Sequence, residues 1–108
     1  MEKAYKLAFS MLKGGVPAKD IAMAVDSYFG RHKKIMPHAL GHGIGLEAHE
    51  APSLRSRAEN DWILEPGMII TIEPGLYDPI HGGCRLENDI LITETGAEVL
   101  TNSRIIRL

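Results

Sequence analysis

Apolar positions recur at helical spacing twice near the start of the chain and then lose that period. Between residues 2 and 13, Tyr5, Ala8, Phe9 and Leu12 fall at i, i+3, i+4 and i+7, the stripe of an amphipathic helix. Gly14-Gly15 ends it. Pro17 suits the first turn of a second helix. The buried face of that helix is predicted to carry Ile21, Ala24, Val25 and Tyr28, with Gly30 as its stop. Lys19, Asp20 and Asp26 lie off the stripe and are expected in solvent.

From Ile35 onward the pattern is different. Glycines at 41, 43 and 45 and prolines at 37 and 52 exclude a long helix. Met68-Ile69-Ile70-Thr71-Ile72 is β-branched and apolar between Glu65-Pro66-Gly67 and Pro74-Gly75, and it reads as a strand. A second strand is predicted over residues 86–93, a turn at Gly96 and a short strand over residues 98–101. Two helices followed by strands predict an α+β fold with the helices packed on one face of a largely antiparallel sheet. No repeat, low-complexity tract or linker interrupts it.

Length and composition narrow the function classes. The 108 residues make one small domain, and 44% hydrophobic with 24% charged residues is ordinary for a globular chain. A net charge of −2 gives no electrostatic reason to expect nucleic acid or an anionic membrane. No apolar run has the length of a membrane span. Met1-Glu2-Lys3 is charged and no apolar segment follows, so a soluble, cytoplasmic protein without a signal peptide is expected. The single cysteine, Cys84, excludes an intrachain disulfide and fits a reducing compartment.

The candidate chemistry lies in the second part of the chain. His38, His42 and His49 fall within a glycine-rich segment, and imidazoles serve both as metal ligands and as acid-base groups near neutral pH. One such histidine alone is ordinarily a surface residue; three together admit a metal or acid-base site. His38 and His42 have the spacing of a helical zinc pair, but Pro37 and the glycines argue against that helix. Glu73 ends the apolar strand, where a carboxylate is either solvated or turned inward to a cation. Arg85, Glu87 and Asp89 alternate and should share one face of the second strand. They form either a solvated row or a metal-ligating carboxylate oriented by its arginine. Imidazole mixed with carboxylates suits Mn²⁺, Fe²⁺, Co²⁺ or Zn²⁺.

Three blocks together carry a resemblance: residues 37–52, residues 64–77 and residues 82–93 are similar to consecutive signature blocks of the pita-bread metallopeptidases. The resemblance covers roughly residues 35–101 and favours the proline-specific branch, Xaa-Pro dipeptidase or aminopeptidase P. It implies the C-terminal half of a pita-bread (creatinase/aminopeptidase) fold, metal-dependent hydrolysis of Xaa-Pro bonds and a proline-containing peptide substrate. By position it implies that His42 and Glu73 hold one metal and that Glu87 bridges two. It further implies that His49 contacts the scissile carbonyl, His38 the substrate side, and that Arg85 supports the ligands. Catalytic roles thus fall on His49, His38, Glu73 and Arg85.

The family's two remaining ligands are aspartates from an earlier strand pair. Asp20, Asp26, Asp61 and Asp78 do not match them, so the chain is expected to be a partial catalytic domain over residues 1–108. It should bind at most one ion, weakly, and be inactive alone, with the missing N-terminal half or a second copy as its partner. The alternative function is a non-catalytic binding module of the same fold.

Overall fold

The computed structural model describes residues 1–106. Helices α1 (Glu2–Met11) and α2 (Ala18–Arg31) form an antiparallel pair. α1 buries Ala4, Ala8 and Leu12, with Tyr5 and Phe9 packed at the margin of the core. α2 buries Ala18, Ile21, Ala22, Val25 and Phe29. Its inner face is therefore turned by one position from the predicted one, with Ala22 and Phe29 in place of Ala24 and Tyr28. The wholly apolar Phe29 ring goes inward, while Tyr28 stays at the rim, edge-on to His32 with ring centroids 5.0 Å apart. Gly30 does not stop the helix, which runs on to Arg31; the left-handed residue that follows is Lys33, at φ 57. Asp26 is not simply solvated, because it accepts a 2.6 Å hydrogen bond from the Ser56 hydroxyl.

Among the described residues seven strands follow: β1 (Gly41–Gly43), β2 (Glu50–Leu54), β3 (Ile69–Ile72), β4 (Gly75–Asp78), β5 (Gly82–Arg85), β6 (Asn88–Ile92) and β7 (Ala97–Val99). Five of them form one antiparallel sheet in the order β2-β1-β3-β6-β7, and β4 and β5 form a separate hairpin. The three predicted strands correspond to β3, β6 and β7, each shorter than expected. Residues 86–93 are not one strand. Arg85 ends β5, Glu87 lies in the link and Asp89 belongs to β6, because the chain changes sheets there. Leu86 N–H donates to Pro74 O across that change at 3.2 Å.

The core forms where the helices cover the central strands. Ile70, Ile72, Ile90 and Ile92 meet Ile21, Val25, Leu40, Leu54 and Leu64, all at most 1% exposed. The α1–α2 turn is tied to the residue that follows β6 and to the segment before β3. Gly14 N–H donates to Thr93 O (2.9 Å), Gly15 N–H to Leu64 O (2.7 Å) and Ala18 N–H to Trp62 O (2.9 Å). Among the described residues no helix is long and apolar enough to cross a membrane.

Candidate metal centre

Strand register brings the candidate ligands together. In the β3–β6 ladder Ile72 lies opposite Asn88, so the next step outward sets Glu73 opposite Glu87. β1 pairs with β3 through Gly43 and Ile70, which sets His42 opposite Thr71, and the Thr71 hydroxyl accepts the His42 N–H at 3.1 Å. Opposed residues share a face, as do residues two apart in one strand. His42, Glu73 and Glu87 therefore project to the same side at one end of the sheet. One ligand atom from each lies within 4.8 Å of the others. Glu73 N–H donates to Leu40 O at 2.7 Å, which fixes the backbone of this corner.

Proton positions follow from the hydrogen bonds. His42 Nδ1 lies 2.9 Å from Gly43 O, a carbonyl that can only accept. Nδ1 is the donor, so the neutral ring leaves its Nε2 lone pair facing the carboxylates, 3.6 Å from Glu73 Oε2. The Glu87 carboxyl is held above the ordinary glutamate range by burial and by its hydrogen bond with Glu73 and the charge there, against the pull of Arg85 and His42. Arg85 Nε lies 3.3 Å from Glu87 Oε2, and that carboxylate raises the affinity of the guanidinium for its proton.

This donor set fits a divalent cation. Three lone-pair donors converge without a proton for each contact, and donors sharing an ion at ~2.1 Å stand roughly 3–4 Å apart, within small side-chain adjustments of the observed spread. A cation there would offset the repulsion between Glu73 and Glu87. Among the described residues no aspartate joins the group. Asp78 instead accepts from His81 N–H and Ile80 N–H at the β4–β5 turn, and these bonds hold its pKa below the usual range.

The remaining candidates surround this corner. The His49 ring packs on His42 with centroids 4.4 Å apart and planes at 46°. His38 lies outside any regular element, its Nδ1 donating to Ala39 O at 2.7 Å. Its Nε2 is thereby left to accept from the Tyr77 hydroxyl at 2.8 Å. After Glu87, Tyr77 is the next influence that raises the affinity of the Arg85 guanidinium for its proton. The corner thus holds two bonded pairs, His38 with Tyr77 and Arg85 with Glu87. Sequence reasoning missed Tyr77; its placement two residues past Pro74-Gly75 in a hairpin strand gave no period to flag it.

Comparison with known proteins agrees with this geometry. Residues 1–94 match metallopeptidase family M24. An uncharacterized peptidase of Methanocaldococcus jannaschii is 42% identical over 105 residues, which are 95% of this chain and 30% of that protein. The prolidase of Pyrococcus horikoshii OT3 superposes with a TM-score of 0.89 at 38% identity, covering 95% of this chain and 30% of that one. The X-Pro aminopeptidase of Thermotoga maritima MSB8 superposes with a TM-score of 0.87 at 33% identity, covering 95% and 29%. The chain thus spans about 30% of the length of the relatives it matches. Its two helices on an antiparallel sheet are the C-terminal half of a pita-bread fold, and the chain belongs to metallopeptidase family M24.

Proposed function

We propose that this chain supplies the His42, Glu73 and Glu87 side of a metal centre that hydrolyses Xaa-Pro peptide bonds. The observation that carries the reading is the convergence of one imidazole and two carboxylates, with donor atoms within 4.8 Å, on a metallopeptidase fold. A divalent ion bound there supplies an activated water and polarises the scissile carbonyl. His42, Glu73 and Glu87 would hold the ion, with Arg85 steadying Glu87. His49, stacked beside the ligands, donates to the carbonyl oxygen as charge develops on it. His38, its Nε2 oriented by the Tyr77 hydroxyl, faces the proline side of the peptide. The prolidase and X-Pro aminopeptidase names of the structural neighbours support this substrate class.

A complete two-ion site calls for two further carboxylates. In this reading they come from the other half of a pita-bread fold, which also makes residues 1–108 one part of a larger catalytic domain. A homodimer, in which a second copy occupies that place, is the other arrangement that covers the sheet; it brings no aspartates. Manganese fits the mixed donor set, with cobalt, zinc and iron as competitors. The exposed free thiol of Cys84 suits the cytoplasm.

The test is hydrolysis of Xaa-Pro dipeptides and of longer Xaa-Pro peptides, with Mn²⁺ and with chelator. The chain is assayed alone and mixed with the N-terminal part of a related prolidase. Metal-dependent release of proline or of the N-terminal residue upon mixing is expected. Cleavage of Xaa-Ala peptides at the same rate would remove the proline specificity, and hydrolysis unaffected by chelator would remove the metal centre.

A further inference from the structure

Residues 44–49, between β1 and β2, carry His49 to the metal corner, and this loop is closed by backbone bonds and by the side chain of Glu50. Ile44 N–H donates to Ile69 O at 2.9 Å and Gly45 N–H to Glu47 O at 3.1 Å. Glu47 N–H donates to Glu50 Oε2 at 3.2 Å. A Cβ at Gly45 would overlap Glu50 Oε1 and stand 2.7 Å from Glu50 Cδ, so the Glu50 carboxylate lies against the bare Cα of Gly45.

The ladder explains why Glu50 can reach inward. His42 pairs with Ser53, but Gly43 pairs with Glu50, so the register slips and Ala51 and Pro52 are set aside as a bulge. The slip brings Glu50 opposite Gly43, beside the ligand His42. His49 is the last residue of the bend and Glu50 the first of β2. The Glu50 carboxylate lies on Gly45 within the loop, while the neighbouring His49 ring packs on His42 with centroids 4.4 Å apart. Glu50 is not among the donor atoms of the metal group.

We infer that Glu50 is a positioning residue: its carboxylate, seated on Gly45 and accepting from Glu47 N–H, fixes the loop that holds His49 against His42. The role in hydrolysis rests on the function proposed above, whereas the role in holding His49 does not. Two features are required together, an acceptor at 50 and no side chain at 45. The backbone of Gly45 is not in the left-handed region, so alanine there conflicts only with the space the carboxylate occupies.

The experiment is NMR of the metal-free chain and of Glu50→Ala, Glu50→Gln and Gly45→Ala, reading the His49 ring protons and exchange of the Glu47 amide. Glu50→Ala should speed Glu47 amide exchange by about 3- to 10-fold, the scale of one partly solvated hydrogen bond. It should also abolish the ring-current shifts that His42 imposes on His49. Glu50→Gln, whose amide oxygen accepts the same bond, should retain both signatures. Gly45→Ala should reproduce the loss with Glu50 intact, and the double variant should be no worse than either single one. Unchanged exchange at Ile70 and Ile90 shows that the fold persists, and Gly45→Ala keeps the test open if Glu50→Ala does not fold. Unmoved His49 signals in both Glu50→Ala and Gly45→Ala, additive effects, or Glu50→Gln behaving as Glu50→Ala would each overturn the inference. In a peptidase-competent assembly Glu50→Ala should lower kcat about tenfold with KM within twofold, and Glu50→Gln should restore it. If the NMR effects appear but no assembly hydrolyses peptide, the loop assignment stands and the proposed function falls.

Discussion

Ile70, Ile72, Ile90 and Ile92 are at most 1% exposed, whereas every residue from 45 to 51 and from 77 to 85 is exposed. The two regions belong to one short stretch of chain. β3 and β6 run from the core directly into Glu73 and out of Glu87, so apolar packing determines where the carboxylates stand. The loop and hairpin bring His49, Tyr77 and Arg85 to that corner by hydrogen bonds and add little buried surface. Stability and chemistry should therefore respond to different substitutions.

The largest effect is expected in the core. Ile90→Ala should cost about 2–5 kcal/mol, the range for deleting a fully buried aliphatic side chain. Urea denaturation measures it, and a loss below about 1 kcal/mol would erase the contrast between the regions. At the corner the signs reverse: His42→Ala should lower Mn²⁺ affinity by roughly 10²-fold while shifting stability by less than about 1 kcal/mol. Calorimetric titration should give at most one ion per chain in the parent, and two tight sites would contradict the single donor group.

His49→Ala should leave that affinity within a few-fold yet lower kcat by about 10²-fold in an active assembly, the scale of one transition-state donor. An unchanged rate would leave His49 as packing for His42 and nothing more. A smaller loss, about 3- to 10-fold in kcat, is expected for Tyr77→Phe, which removes only the hydroxyl bonded to His38. Equal losses in Tyr77→Phe and Arg85→Lys, with no further loss when combined, would show that they act as one chain.

The smallest effect concerns pH. The Glu87 carboxyl is raised by burial and by Glu73, so its contribution to the stability of the metal-free chain is full below the ordinary glutamate pKa. That contribution is lost as pH rises through the raised value. Glu87→Gln in chelator should therefore raise Tm at pH 7, by no more than about 3 °C because the site is partly solvated, and give no gain at pH 3. A lower Tm at pH 7 would mean that the bond to Arg85 outweighs the repulsion from Glu73.

What the sequence disclosed follows the same division. Both helices were legible because burial imposes a period on them, β3 and β6 because they are apolar, β-branched runs, and the exposed β7 from the turn at Gly96 before it. The helix face slipped by one position because Ala22 and Ala24 are alike in size and only packing separates Phe29 from Tyr28. β1, β2, β4 and β5 stayed hidden, since glycine, proline and polar residues carry no period and their pairing is set by distant partners. His42, Glu73 and Glu87 were legible through family resemblance; their alignment depends on a register that skips the whole β4–β5 hairpin. Tyr77 and Glu50 were not legible, because each acts through a contact that only the folded loop creates.

Gly14 has a consequence for how the molecule yields. A Cβ there would stand 2.7 Å from Pro66 Cδ, so the turn between the helices lies flush against the segment that leads into β3. The backbone bonds on either side of it leave the helix pair without a hinge of its own. A load applied to α2 should therefore pass into residues 62–66 and on to β3, which leads to Glu73. The two carboxylates and the helix pair are thus expected to open as one cooperative unit when that contact fails.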